Sequence, residues 1–248
     1  MGKAWEGRDE ADLKATPEQV WQAIATGPGI DSWYMGRSTV EPWLGGAIST
    51  DVGPFVMQSK VTAWEPGKRL AHRSDETADG RFIAFEYLIE AQEHGSTVLR
   101  LVANGFLPGD DWDAEYEAML RGGQMYFGTL VACLTHFTGR TATPIGAAGP
   151  SQLSWTDSRA KLCHAMGLAG EPSVGDRVRF TPADLPVIDG VVDFVNADAI
   201  GVRTADALYR FVRSLFGPVL AQHHLFLSDV DAHHAGQAWQ RWLYQTLV

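Results

Sequence analysis

Among the side chains of this chain, His72 is the best placed to do chemistry. It sits in the run Leu70–Ser74, in phase with Leu70. An alternating strand would therefore turn it to the apolar side. Imidazole titrates near neutrality, so His72 could act as an acid–base group or as a polar anchor. No nucleophile with an evident base accompanies it in the sequence. A cyclase-type set would draw on His72, Tyr87, Arg100 and Tyr126, and the phase of Arg100 puts it on the outer face. The residues read as a binding protein rather than an enzyme, and no catalytic residue is assigned.

A second constellation is His223-His224…Asp229-x-Asp231-x-His233-His234. Zinc accepts such ligands. Adjacent strand residues point to opposite faces, so His223 and His224 cannot both serve one site. Asp231 is already suited to cap the helix that follows. No metal and no cofactor are expected. Cys133 and Cys163 lie in separate helical stretches with no Cys-x-x-Cys pair, and read as reduced, buried thiols. The acidic run Asp110–Glu117 reads as a solvated helix start, where the helix dipole favours negative charge.

The elements that must position these groups are legible as follows. Thr16-Pro17-Glu18-Gln19 is a capping-box start for a helix ended by Gly27-Pro28-Gly29. Residues 4–15 before it suit an edge strand. From Thr39 to Asn104 the apolar period is two. Phe55, Met57, Ser59, Val61 and Ala63 share one phase, as do Ile83, Phe85, Tyr87 and Ile89, and Thr97, Leu99 and Leu101. Turn-rich separators such as Glu65-Pro66-Gly67-Lys68 and Asp79-Gly80 make this an antiparallel meander. A long amphipathic helix over about residues 111–138 follows, with Trp112, Tyr116, Met119, Leu120, Gly123, Tyr126, Phe127, Leu130, Leu134 and Phe137 on one face. Residues 140–151 are Thr-, Ala-, Gly- and Pro-rich and read as a linker. Beyond it come a helix opened by Ser154, five short strands between Arg177 and Leu227, and a final helix capped by Asp231. The expected domains are thus 1–139 and 152–248, joined by 140–151.

The sheet would offer Phe55, Met57, His72, Phe85, Tyr87 and Leu99 to a cavity, and the long helix Met119, Tyr126 and Leu130. Trp33 and Trp64, with Trp43, would rim its mouth. Such a mostly apolar pocket with few polar groups suits a small hydrophobic or aromatic ligand. Gly122-Gly123 inside the helix costs about 1 kcal/mol each relative to alanine and needs a reason. Close contact with the sheet is the expected one, ahead of a bend that opens the cavity.

Ala15-Thr16-Pro17-Glu18-Gln19-Val20-Trp21, Trp33, Gly45-Gly46, Val61-x-x-Trp64-Glu65-Pro66-x-x-Arg69-Leu70 and Gly122-Gly123, in this order, resemble START-like (SRPBCC) proteins. The branch they are most similar to is that of the heat-shock protein 90 ATPase activators. The resemblance covers about residues 4–138. It implies an α+β helix-grip fold, an antiparallel sheet wrapped around a long C-terminal helix, with a cavity between them. It implies no single activity, since members include chaperone activators, lipid carriers and polyketide cyclases. The second half is similar to a shortened copy whose opening strand is missing.

The chain has 248 residues, 20 basic and 30 acidic, for a formal charge of −10. That charge disfavours a nucleic-acid partner. No apolar run is long enough to span a membrane, and residues 1–15 carry charges throughout. A cytoplasmic location is expected. Non-catalytic ligand binding is the leading function. A chaperone-linked module of the stress response and a polyketide cyclase or aromatase-type enzyme are the alternatives. The thin second half and its edge strands leave a homodimer open.

Overall fold

The computed structural model describes residues 2–248 except 54, 110–112, 152, 183, 215, 216 and 218. The chain forms two compact units, Met1–Thr141 and Ala142–Val248. Among the described residues no helix is long and apolar enough to cross a membrane.

The first unit runs β1 (Lys3–Leu13), α1 (Pro17–Ala25), α2 (Gly27–Ile30), β2 (Arg37–Val40), β3 (Ala47–Asp51), β4 (Val56–Glu65), β5 (Arg69–Ser74), β6 (Phe82–Ala91), β7 (Thr97–Leu107) and α3 (Asp113–His136). The strands form one antiparallel sheet in the order β1-β7-β6-β5-β4-β3-β2. The meander is explained by its tight turns, and the first strand returns to pair with the last. The α1 start is the expected capping box. Thr16 Oγ1 accepts the Gln19 N–H at 3.3 Å, and Gln19 Oε1 accepts the Thr16 N–H at 2.9 Å. Gly36 takes φ +68° between α2 and β2, and a Cβ there would lie 2.0 Å from the Asp51 carbonyl. Only glycine fits that bend.

α3 lies over the inner face of the sheet. Tyr116 meets Trp5 edge-on at 6.3 Å. A Cβ on Gly7 would come within 3.0 Å of Leu120. Further along, Leu130, Leu134 and Phe137 are buried. This is the helix-grip, an α+β fold. The helix begins at Asp113; Asp110, Asp111 and Trp112, expected at its start, lie outside the described residues.

Two local expectations fail in this unit. The inner phase of β4 was expected to continue to Ala63. A bulge between Val61 and Ala63 shifts the register, so that Trp64, opposite Leu70, takes the inner position instead. A bulge adds one residue without breaking the strand, and simple alternation cannot show it. Gly122 and Gly123 were expected to permit close contact with the sheet. A Cβ at either would meet no atom within 4 Å. Neither glycine is needed for close contact, and the space beside the pair is open.

The second unit runs β8 (Thr143–Ala148), α4 (Trp155–Ala165), β9 (Arg177–Phe180), β10 (Ile188–Asn196), β11 (Ala199–Arg203), β12 (Ala207–Arg213), β13 (Val219–Leu225) and α5 (Ala232–Leu247). Its sheet order is β8-β13-β12-β11-β10-β9. First strand on last strand, meander, closing helix: the wiring is that of the first unit with one strand and one helix fewer. The opening strand is therefore present, not missing. It lies inside the stretch 140–151 that composition marks as linker. β8 escapes notice because Thr143-Pro144-Ile145-Gly146-Ala147-Ala148 has little β propensity. It is held by full antiparallel pairing with β13, from Thr143↔Leu225 to Ala148↔Leu220. Asp231 caps α5 by accepting the His234 N–H at 3.0 Å.

Candidate functional site

Three rows of paired residues cross the inner face of the first sheet. One holds Asp9, Leu101, Tyr87, Leu70 and Trp64. The next holds Gly7, Ala103, Phe85, His72 and Val61. The third holds Trp5, Gly105, Ile83, Ser74 and Ser59. Towards α1 this face is closed, with Leu13, Leu70 and Leu99 buried. Towards the other end, inward side chains keep accessible surface: Met57, Ser59, His72, Ile83 and Phe85 are only half-buried. Met119, Gly122, Gly123 and Tyr126 of α3 are half-buried too.

Two half-buried groups on this side, His72 and Tyr34, are strongly desolvated, as is the buried Tyr87. Burial pulls the His72 imidazole down to about 4. It pushes the Tyr34 phenol up to about 12 and raises Tyr87, to which the nearby Tyr34 adds. Surface groups would not shift so far, and groups in a filled core would have no accessible surface. The combination describes an inner wall that side chains do not fully cover.

A chain of rings runs along that wall. Phe85 lies 5.2 Å from His72, and His72 is stacked near-parallel on Tyr87 at 6.2 Å. Trp33 meets Tyr87 at 6.5 Å and Tyr34 at 5.5 Å, and Tyr34 meets Tyr126 at 4.7 Å. The structure thus brings together five residues singled out from the sequence: Trp33, His72, Phe85, Tyr87 and Tyr126. Trp33 is no rim residue. It is 5% exposed, and its indole N–H is spent on the Ala23 carbonyl at 2.9 Å.

The remaining candidates are scattered. Met57 and Met119 face the half-open region from β4 and α3. Leu99 and Leu130 are fully buried, part of the filled end. Trp64 packs edge-on to Trp21 of α1 at 5.0 Å, away from any opening. Phe55 is 56% exposed in the β3–β4 turn, and Trp43 is 54% exposed in the β2–β3 turn. Arg100 lies on the outer face, paired with Glu10 and Glu90.

Three groups escaped the sequence reading. Ser59 Oγ lies 2.8 Å from His72 Nδ1, across the diagonal between β4 and β5. Its inner phase was legible, but its partner was not, because pairing register is set by the β4–β5 turn and the bulge. Tyr34 follows the four-residue α2 in a turn and carries no periodic signal. Asp9 lies on the inner phase of β1 with Trp5 and Leu13, and desolvation raises its carboxyl. Alternation in β1 would have found it.

A separate depression of about 330 Å³ lies outside the grip, lined by Gln22 and Ala23 of α1 and by Cys133 and Phe137 of α3. Burial holds the Cys133 thiol up at about 12, so it is not a nucleophile at neutral pH. In the second unit His223 points into the core and His224 to the other face, as strand alternation requires. Among the described residues no group of three or more metal-ligating side chains could hold an ion.

Residues 14–135 match the family model described as Activator of Hsp90 ATPase homolog 1-like protein. No curated protein matches the sequence. Solved structures similar to the chain include protein MLL2253 from Mesorhizobium loti, at 22% identity over 52% of this chain and 96% of that one, with TM-score 0.45. The Aha1 dimer from Colwellia psychrerythraea is similar at 19% identity over 52% and 96%, with TM-score 0.44. DynU16, a protein in the dynemicin biosynthetic locus, is similar at 15% identity over 98% of this chain and 95% of that one, with TM-score 0.46. The match to the Activator of Hsp90 ATPase homolog 1-like model thus lies within the first unit, most of which it spans.

Proposed function

We propose that the first unit binds a small, largely apolar ligand between its sheet and α3, without transforming it. One observation carries this reading: His72, Phe85, Ser59 and Met57 face inward, yet remain accessible. A wall of aromatic rings with a few placed polar groups is the usual make-up of a ligand pocket. Catalysis fits less well. Ser59 and His72 form a hydroxyl–imidazole pair, but an imidazole held down at about 4 is a weak base at neutral pH.

The test is a panel of apolar aromatic compounds scored by melting temperature. A ligand that binds only the native state stabilises it, by about 2.7 kcal/mol at a concentration of 100 Kd. Phe85→Trp, which puts a larger ring on the same wall, should abolish the shift. No shift with any compound, together with a Phe85→Trp melting point lowered by overpacking, would remove this reading.

The family model favours one other reading, an interaction module acting on a chaperone ATPase. The ATPase rate of a bacterial heat-shock protein 90, measured with and without the full chain, decides it. An unchanged rate ends that alternative.

A further inference from the structure

The polar groups of the site specify more than an apolar ligand. Ser59 Oγ and His72 Nδ1 are 2.8 Å apart, and either could donate. If the Ser59 hydroxyl donates, Nδ1 accepts and the ring proton sits on Nε2. Both groups are then paired, and one N–H remains. If Nδ1–H donates instead, the Ser59 proton and the Nε2 lone pair both lack partners among the described residues. Polar groups in enclosed apolar surroundings are rarely left in that state. The first arrangement leaves fewer of them and so favours the Nε2–H tautomer. This N–H faces accessible space, and no described residue accepts it.

The hydroxyls of Tyr34 and Tyr87 have no hydrogen-bond partner among the described residues either. Both stay neutral, since burial raises both phenols. His72 is stacked on Tyr87, and Tyr87 is linked to Tyr34 through Trp33. No lysine or arginine stands in the three inner rows, whereas Asp9 does. The sheet face would therefore offer a carboxylate ligand no counter-ion, and would set it against Asp9 besides.

We propose that His72, oriented by Ser59, is the specificity-determining residue of this site, and that it selects a neutral aromatic ligand carrying an acceptor oxygen, such as an aryl ketone, over the corresponding hydrocarbon or acid. The ketone oxygen takes the Nε2–H, and the ring body lies along Phe85 and Tyr87. This rests on the cavity reading above, and the experiment separates the two.

Three probes of one shape, 9-fluorenone, fluorene and 9-fluorenecarboxylate, are titrated into the full chain, and Kd is measured by calorimetry. One added hydrogen bond predicts about tenfold tighter binding of fluorenone than of fluorene, and weaker binding of the acid than of either. His72→Phe keeps a stacked ring and should bring fluorenone to the affinity of fluorene measured on the same variant. Ser59→Ala should reduce the preference about two- to fivefold. Ring-nitrogen NMR of the free wild type, with His72 assigned from the variant spectrum, should show the proton on Nε2. Equal affinities for fluorenone and fluorene in the wild type overturn the proposal and leave the cavity reading intact, as does a proton found on Nδ1. If no probe binds, the proposal falls, and the melting-temperature panel decides the cavity reading.

Discussion

Each unit wraps a meander around a closing helix, and each turns a histidine from its sheet towards that helix. The two histidines live differently. His72 has one nitrogen bonded to Ser59 and the other on open space. His223 is fully buried, its Nδ1 accepting the Arg210 backbone N–H at 3.1 Å, its Nε2 without a partner among the described residues. The Trp239 ring meets it edge-to-face at 4.2 Å, and Tyr209 and Phe211 crowd it at 5.0 and 5.1 Å. The closing helices make the difference. α5 sends Trp239 and Trp242 into its sheet, whereas α3 has Gly122 and Gly123 where bulk could have gone. Two tryptophans fill one interior, whereas a Cβ at either glycine of the other helix would meet no atom within 4 Å.

The largest test of this contrast is truncation on each side. Trp239→Ala should cost the second unit about 3–5 kcal/mol, because it opens a void in a filled core. Phe85→Ala should cost only about 1 kcal/mol, because its ring already borders open space. Urea unfolding of both variants measures this, and equal costs would mean that the first interior is as full as the second.

Acid gives the next largest effect. The folded His72 titrates at about 4 against an ordinary 6.5, so the unfolded chain binds more protons between those values. Its neutral form supports stability fully above pH 6.5, and that support drains as pH falls to 4. Discounted for solvent access, the loss is roughly 2 kcal/mol. Burial also depresses His223, which adds an acid loss in the second unit. Unfolding midpoints at pH 7 and pH 4.5 should fall further for the wild type than for His72→Phe. An equal fall in both would place the His72 pKa near its ordinary value.

Smaller still, Gly122→Ala and Gly123→Ala should each stabilise by about 1 kcal/mol, since the new methyl meets nothing and helix propensity improves. Thermal unfolding reads this, and destabilisation would mean that the sheet comes closer than the structure places it. Smallest is Arg100→Gln on the outer face, where the pairs with Glu10 and Glu90 are exposed. It should cost under about 1 kcal/mol and leave binding unchanged.

Legibility followed the range of the interaction. The capping box at Thr16 involves neighbours three residues apart and was read in full. So was the alternation of β6 and β7, and the amphipathic face of α3 was read in part, without the buried Met125 and Thr129. Harder features depended on distant pairing: the bulge in β4, the strand β8 made from weak residues, and the Ser59–His72 bond.

The order of elements, the inward phase of His72, Phe85 and Tyr87, and the glycine pair in α3 belong to the sequence alone, because propensity, alternation and capping act over a few residues. That Gly122 and Gly123 meet no neighbour, that Tyr34 joins the chain of rings, and that Ser59 reaches His72 Nδ1 was decided by the tertiary structure. Each needs strands or helices far apart in the chain to be set at ångström distances, and only the register and packing of the whole unit do that.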